Sequence, residues 1–240
     1  GVSEIIPSTM GEPLLYKEFD KIFELSNQHN IKINLTTNGT FPNGIENWAL
    51  KLLPVLSDIN ISINAINPTI NEKIMIGDDT IKKTEDIKTF IKLRNEINQN
   101  VSITLQVTFL KSNLSELENI IKFGIVNGIN RIKGHHLWIN WNEMNNESLQ
   151  NSNDKIIEWN NFVESIDKYK SQIKLVNFNK LELYSDSKIL PEEYNCPFLG
   201  KELWIDYNGD FNICCAPSKE RVKLGYWGNI QNRSISDLFN

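Results

Sequence analysis

Glu12 stands between a glycine and a proline, in Met10-Gly11-Glu12-Pro13-Leu14-Leu15. An apolar stretch carrying Ile5 and Ile6 ends there, and a helical pattern of Phe19, Ile22, Phe23 and Ser26 begins. The C-terminal edge of strands is where open α/β sheets and barrels bind ligands, so a carboxylate there is an acceptor for a cationic group. Gly11 allows close backbone approach, Pro13 fixes the direction of the chain into the helix, and Glu12 is aimed over the sheet. The same residues also suit a tight turn whose Glu opens a helix. His135 and His136 end a later strand pattern. If Ile132 faces covering helices, parity turns His135 into the interior, as a substrate ligand or proton donor, with packing or solvation as the alternative. Trp138 and Trp141 line a substrate mouth or cover the sheet. Further on, Cys196-Pro197-Phe198 precedes Leu203-Trp204-Ile205-Asp206, an Asn208-Gly209 turn and Phe211-Asn212-Ile213-Cys214-Cys215. Asn-Gly between alternating runs predicts a hairpin that brings Cys214 back toward the segment starting at Cys196. Two thiolates with a third ligand suit zinc or iron–sulfur chemistry, and buried cysteines acting as small hydrophobes are the alternative.

The bulk properties exclude several classes. The chain has 240 residues, with 25 Lys and Arg against 30 Asp and Glu for a net charge of −5, and 40% hydrophobic residues. That length supports a sizeable core, and the acidic balance argues against a nucleic-acid partner held by a basic face. No run of about 18 apolar residues occurs, so no membrane span is expected. The three cysteines form no disulfide framework and no signal-peptide pattern is visible, which points to the cytoplasm.

The elements that must position these residues follow a βα rhythm. Strands are expected over residues 3–9, 31–37, 58–64, 101–108 and 129–137, with helices over 16–28, 45–53, 84–97 and 114–127. Asn113 is expected to cap the last of these and Glu116 to complete a capping box. Such alternation implies right-handed βαβ units and a parallel sheet. Yet Ile31–Thr37, Ile59–Asn64 and Val101–Thr108 alternate apolar residues with Lys32, Asn34 and Thr36, with Asn60, Ser62 and Asn64, and with Ser102, Thr104, Gln106 and Thr108. Parallel strands covered on both faces read as continuous apolar runs. The alternation therefore predicts a partial barrel, helices outside and a polar lumen inside. Residues 142–153 read as a loop, Ile156 to Tyr169 as an amphipathic helix and residues 173–178 as a strand. Residues 1–179 then form the barrel, and residues 180–240 a small unit of short strands and turns.

In this order and spacing the motifs resemble the radical S-adenosylmethionine (radical SAM) superfamily, in the branch with a C-terminal SPASM or twitch extension. Gly11-Glu12-Pro13 resembles the GEP motif that holds the amino group of SAM, at the end of the second barrel strand. Leu35-Thr-Thr-Asn-Gly-Thr40 resembles the third-strand TNG signature, with Thr37 and Asn38 as cofactor contacts or turn formers. Ile61-Ser62-Ile63-Asn64 resembles the fourth-strand pattern, with Ser62 and Asn64 as SAM contacts. Phe109 to Leu117 resembles the exit from the fifth strand and Gly128-Ile129-Asn130 the approach to the sixth. Cys196, Gly209 and Cys214 resemble the opening of an auxiliary-cluster motif, with Cys215 as an alternative to Cys214. Leu224-Gly225, Gly228-Asn229-Ile230 and Ser234 to Phe239 resemble the stretch after it.

The resemblance implies a partial (β/α)6 barrel lacking its first βα unit. It implies SAM and a [4Fe–4S] cluster as cofactors, and a 5′-deoxyadenosyl radical that abstracts hydrogen from a small-molecule or peptide substrate. Peptide maturation and alcohol-type oxidation are the expected uses, with flavodoxin or ferredoxin as electron donor. The departures matter as much. The family's CxxxCxxC loop precedes the GEP motif, and the ten residues before Gly11 hold no cysteine. Later SPASM cysteines are expected beyond Asn240, Asn64 replaces an Asp, and Met75 stands where relatives often carry Arg. The chain alone is therefore expected to be inactive, as a piece of a functional parent. A cluster-free binding module on the same barrel, or a small zinc protein built on the hairpin, are the competing expectations.

Overall fold

The computed structural model describes residues 1–7, 11–137, 142–183, 198, 200–214 and 222–239. Cys196, Cys215, Trp138 and Trp141 lie outside the described residues. The chain divides into two compact units, Gly1–Tyr184 and Ser185–Asn240.

In the first unit, strands β1 (Glu4–Ile5), β2 (Lys32–Thr37), β3 (Leu56–Ser62), β4 (Ser102–Phe109), β5 (Arg131–His136) and β6 (Lys174–Val176) pair in sequence order. All five pairings are parallel, and among the described residues β1 does not pair with β6, which leaves the sheet open there. The crossovers carry α1 (Phe19–Gln28), α2 (Ile45–Leu52), α3 (Pro68–Ile74), α4 (Thr80–Ile97), α5 (Leu117–Asn127) and α6 (Asn153–Ser165).

The period-2 pattern divides the sheet into a packed face and a wet face. Ile33, Leu35, Ile59, Ile61, Ile103, Leu105, Val107 and Ile132 are all buried in one core. Each such fully buried side chain stabilises the fold by about 1.5–3 kcal/mol. The alternate positions, Asn34, Thr36, Asp58, Asn60, Ser62, Thr104, Gln106, Arg131, Lys133 and His135, share the other face and line the polar lumen. The partial barrel expected from the alternation is the observed architecture.

Gly134 shows how tightly the packed face closes. A Cβ there would fall 1.7 Å from Cζ of Phe109. The Phe109 ring lies 4.5 Å from that of Trp159 and 4.8 Å from that of Phe178. Trp159, fully buried on α6, donates its indole N–H to Asn179 O at 2.8 Å.

Several boundaries differ from those expected. Pro13–Leu15 form a separate 3-10 turn, so α1 begins at Phe19 and not at residue 16. Helix α3 was not expected, although Asn67 caps it by accepting from Thr69 N–H at 2.9 Å and Pro68 opens it. Helix α4 starts at Thr80, because Asp79 accepts from Lys82 N–H at 2.9 Å. The capping box predicted at Asn113 does not form. Lys111–Glu116 is a 3-10 turn, and α5 starts at Leu117. Asn113 is fully buried; its Oδ1 accepts from Leu110 N–H at 3.0 Å, and its Nδ2 donates to Asn64 O and Thr108 O, both at 2.9 Å. The oxygen that would cap the helix already accepts from Leu110 N–H, and the two strand-end carbonyls hold the amide nitrogen in the core. Within residues 142–153, Asn142–Glu147 forms a 3-10 turn.

In the second unit, β7 (Trp204–Ile205) and β8 (Phe211–Asn212) form an antiparallel hairpin. Asp206 Oδ1 accepts from Asn208 N–H and Asp210 N–H at 2.9 and 3.1 Å, closing the turn. Asp210 bridges to Asn229, extending the pairing, and Cys214 is half-buried just past β8. No helix among the described residues is long and apolar enough to cross a membrane.

Candidate functional site

Glu12 does more than open a helix. Its Oε1 accepts from Leu14 N–H at 3.1 Å, which is the local cap. The same oxygen also accepts from the Thr37 hydroxyl at 2.8 Å, and Oε2 accepts from Asn38 N–H at 2.6 Å. The carboxylate is thus held across 26 residues of chain, at the C-terminal end of β2, where a plain turn would leave it in solvent. An ionised carboxylate has about four acceptor positions. Three are filled, and the remaining one is presented in a fixed direction for a cation.

Thr37 sits on the packed side of β2, nearly fully buried, so it does not face the lumen. It acts through Glu12, and its Oγ also accepts from Gly39 N–H at 3.1 Å. Asn38 contributes its backbone N–H, while its side-chain Oδ1 accepts from Thr40 N–H at 2.8 Å and shapes the turn. Gly39 is required twice over. Its φ is +82°, and a Cβ would sit 3.0 Å from Ile61 Cγ2 and 3.1 Å from Lys83 Cδ and Cε. Gly11, with φ +84°, precedes the carboxylate, and Pro13 is buried behind it.

Lys83, which the motif reading missed, lies beneath this turn. Its side chain is 2% exposed and its Nζ pairs with Asp78 Oδ1 at 2.6 Å. It also donates to Ser62 O at 3.2 Å and lies 3.7 Å from Met75 Sδ. Burial lowers the Lys83 pKa, while Asp78 first and Glu12 next oppose that shift. Asp78 Oδ2 accepts from Asn71 Nδ2 at 2.5 Å, and Asn71 Oδ1 accepts from the N–H groups of Asn64 and Ala65 at 2.8 and 3.1 Å. This network pins the end of β3 to α3 and α4, and Asp78 compensates the buried lysine's charge. A signal was available in the sequence. Lys83 and Arg94 lie on the same buried stripe of α4 as Ile87, Phe90 and Ile91.

Ser62 is half-buried on the lumen face, level with Gln106. Asn64 has a mainly structural task, since its Oδ1 accepts from Thr108 N–H at 2.9 Å and continues the β3–β4 ladder past the last strand residue. His135 is on the lumen face opposite Thr108, two residues above Lys133. Although His135 is exposed, partial desolvation and then the Lys133 charge lower its pKa, which favours the neutral imidazole that can accept a proton. His136 turns the other way, against Phe109 and Trp159 at 5.1 and 4.7 Å, with neither ring nitrogen hydrogen-bonded. Among the described residues no three His, Cys, Asp or Glu side chains are arranged to hold a metal ion. Of the proposed metal ligands only Cys214 is described.

Residues 1–124 match the Radical SAM superfamily. A probable GTP 3′,8-cyclase of Sulfurisphaera tokodaii is 26% identical over 204 residues, covering 75% of this chain and 63% of that protein. Streptococcus suis SuiB bound to S-adenosylmethionine has the same fold, with a TM-score of 0.68 at 15% identity over 98% of this chain and 53% of that one. Native anSMEcpe with bound AdoMet gives a TM-score of 0.67 at 18% identity, over 99% of this chain and 66% of that one. The chain thus spans less than two thirds of the length of each of these relatives. The superfamily match runs from before the Glu12 turn into α5, over more than half of the sequence, and by it the chain belongs to the radical SAM superfamily.

Proposed function

We propose that the edge formed by Glu12, Thr37 and Asn38 receives the α-ammonium group of SAM, and that the protein is a SAM-dependent iron–sulfur oxidoreductase acting by hydrogen abstraction. The observation that carries this reading is the Glu12 carboxylate, oriented by three donors from two elements and left with one directed acceptor position. A charge-assisted hydrogen bond from an ammonium completes it. SAM bound with a [4Fe–4S] cluster supplies hydrogen-atom abstraction. The described residues include no ligand set for that cluster, so no step through it is assigned here to this chain.

The chain's own residues bind and orient. Glu12 holds the amino group, Thr37 and the Asn38 N–H fix the carboxylate, and Gly11 and Pro13 set the turn. Ser62 offers a lumen-facing hydroxyl, and neutral His135 is placed to take or return a proton. Cys196 and Cys214 are proposed as auxiliary-cluster ligands on their sequence pattern. The substrate is a small molecule or a peptide. SuiB is described with its precursor peptide, and the cyclase is named for GTP. Peptide maturation or alcohol-type oxidation, with a flavodoxin or ferredoxin as electron donor in the cytoplasm, completes the reading.

The test is anaerobic iron–sulfur reconstitution of the full-length protein followed by measurement of 5′-deoxyadenosine. Release that disappears in Glu12→Gln supports the enzyme. The second reading is a cluster-free SAM-binding module that keeps the Glu12 cradle on the same barrel. SAM bound with no iron retained and no 5′-deoxyadenosine released would establish that reading and overturn the first.

A further inference from the structure

The lumen has a second polar region, toward the N-terminal ends of the strands and away from Glu12. The pairing sets Thr36, Asn60, Thr104, Arg131 and Lys174 in one row across β2 to β6. Ser62, Gln106, Lys133 and Val176 form the next row. With Asn34 and Asp58, most of these residues enclose a cavity of about 340 Å³.

Its charge is unbalanced in a chain whose net charge is −5. Arg131, Lys133 and Lys174 face it, against the single carboxylate of Asp58. That carboxylate is already committed, since Asp58 pairs with Arg131 Nη2 and accepts from the Thr104 hydroxyl at 3.1 Å. Arg131 Nε also donates to Thr104 Oγ at 2.6 Å. Lys133 and Lys174 form no ion pair among the described residues, and the Gln106 amide makes no side-chain hydrogen bond there. The Lys133 charge reaches His135, whose pKa it helps to lower. Lys133 is half-buried and Lys174 exposed, and two ammonium groups lining one cavity can hold an oxyanion between them by charge-assisted hydrogen bonds.

We propose that this lower lumen is an anion subsite, in which Lys133 and Lys174 bind a carboxylate or phosphate group of the molecule acted on, with Gln106 as a neutral donor beside them. The proposal rests on the SAM reading for its purpose. With SAM held at Glu12, the subsite anchors the charged end of the substrate at the opposite end of the lumen and leaves its uncharged part facing the cofactor.

Isothermal titration of the full chain with pyrophosphate and, separately, with succinate distinguishes a phosphate from a carboxylate source. SAM is titrated in parallel. Binding of either anion is expected, weakened at least about tenfold by Lys133→Gln and by Lys174→Gln, because each removes a charge-assisted bond. Added NaCl should weaken it further. SAM affinity is expected to stay unchanged in both lysine variants, and anion affinity to stay unchanged in Glu12→Gln. Lys174 is exposed at the start of β6, so its variant tests the subsite even if Lys133→Gln fails to fold. Failure of both anions to bind, or binding that Lys174→Gln leaves intact, would overturn the subsite even where SAM binds. Anion binding in a protein that does not bind SAM would instead remove the SAM reading and leave the subsite standing.

Discussion

Lys83 is buried and His136 half-buried against the core, and the two treat their charge in opposite ways. Lys83 keeps its charge through Asp78, with 2% and 7% side-chain exposure in the pair. Removing one member of such a pair strands the other charge, at a cost of about 3–5 kcal/mol. Lys83→Met should therefore lower the unfolding free energy in urea by about that amount, whereas a change within about 1 kcal/mol, the range of surface pairs, would contradict the burial argument. His136 instead gives up its charge. Burial lowers its pKa from 6.5 to about 4, and no partner offsets the shift. Between those values the unfolded chain binds the proton that the folded chain refuses. Stability is consequently full above pH 6.5 and declines as the pH falls toward about 4. His136→Phe keeps an aromatic ring beside Phe109 and Trp159 and should flatten the pH dependence of the unfolding free energy across that window. An unchanged slope would place the titration elsewhere.

Elements whose burial has one simple period were legible in the sequence, and those governed by competing polar partners were not. The alternation on β2, β3 and β4 announced both the helix-covered face and the polar lumen, because each lumen residue is separated by two from the next. Helix α3 escaped notice because seven residues with Asn71 as the buried side chain carry no apolar stripe. Asn113 has the spacing of a cap, yet its oxygen accepts from Leu110 N–H while its amide nitrogen donates to Thr108 O and, across 49 residues, to Asn64 O, a contact that no local pattern encodes. Asn113→Ala should cost at least about 2 kcal/mol, since it leaves buried strand-end groups without partners. Thermal unfolding measures it, and an unaltered Tm would show that the clamp is dispensable.

At the scale of the whole barrel, an open parallel sheet gathers chemistry-bearing side chains at the two ends of one polar lumen. Glu12 was legible because Gly-Glu-Pro at a strand end is an uncommon way to make a turn. Its partners Thr37 and Asn38 were legible only as a motif, since the bonds span β1 to β2. Lys83, Asp78 and Asn71 gave no motif, and the clue to them was a cation on the buried stripe of α4. The lower lumen needed the pairing register, which brings Arg131, Lys133 and Lys174 into adjoining rows. The position proposed for the SAM ammonium group, at Glu12, lies at the upper end. Titration of SAM into the protein and into Glu12→Gln examines that position, because glutamine keeps the side chain's size and one acceptor oxygen while it removes the negative charge and replaces the other oxygen by an NH2 donor. At least about a tenfold loss of SAM affinity is expected, with an unchanged circular-dichroism spectrum. Equal affinity in the two proteins would contradict it.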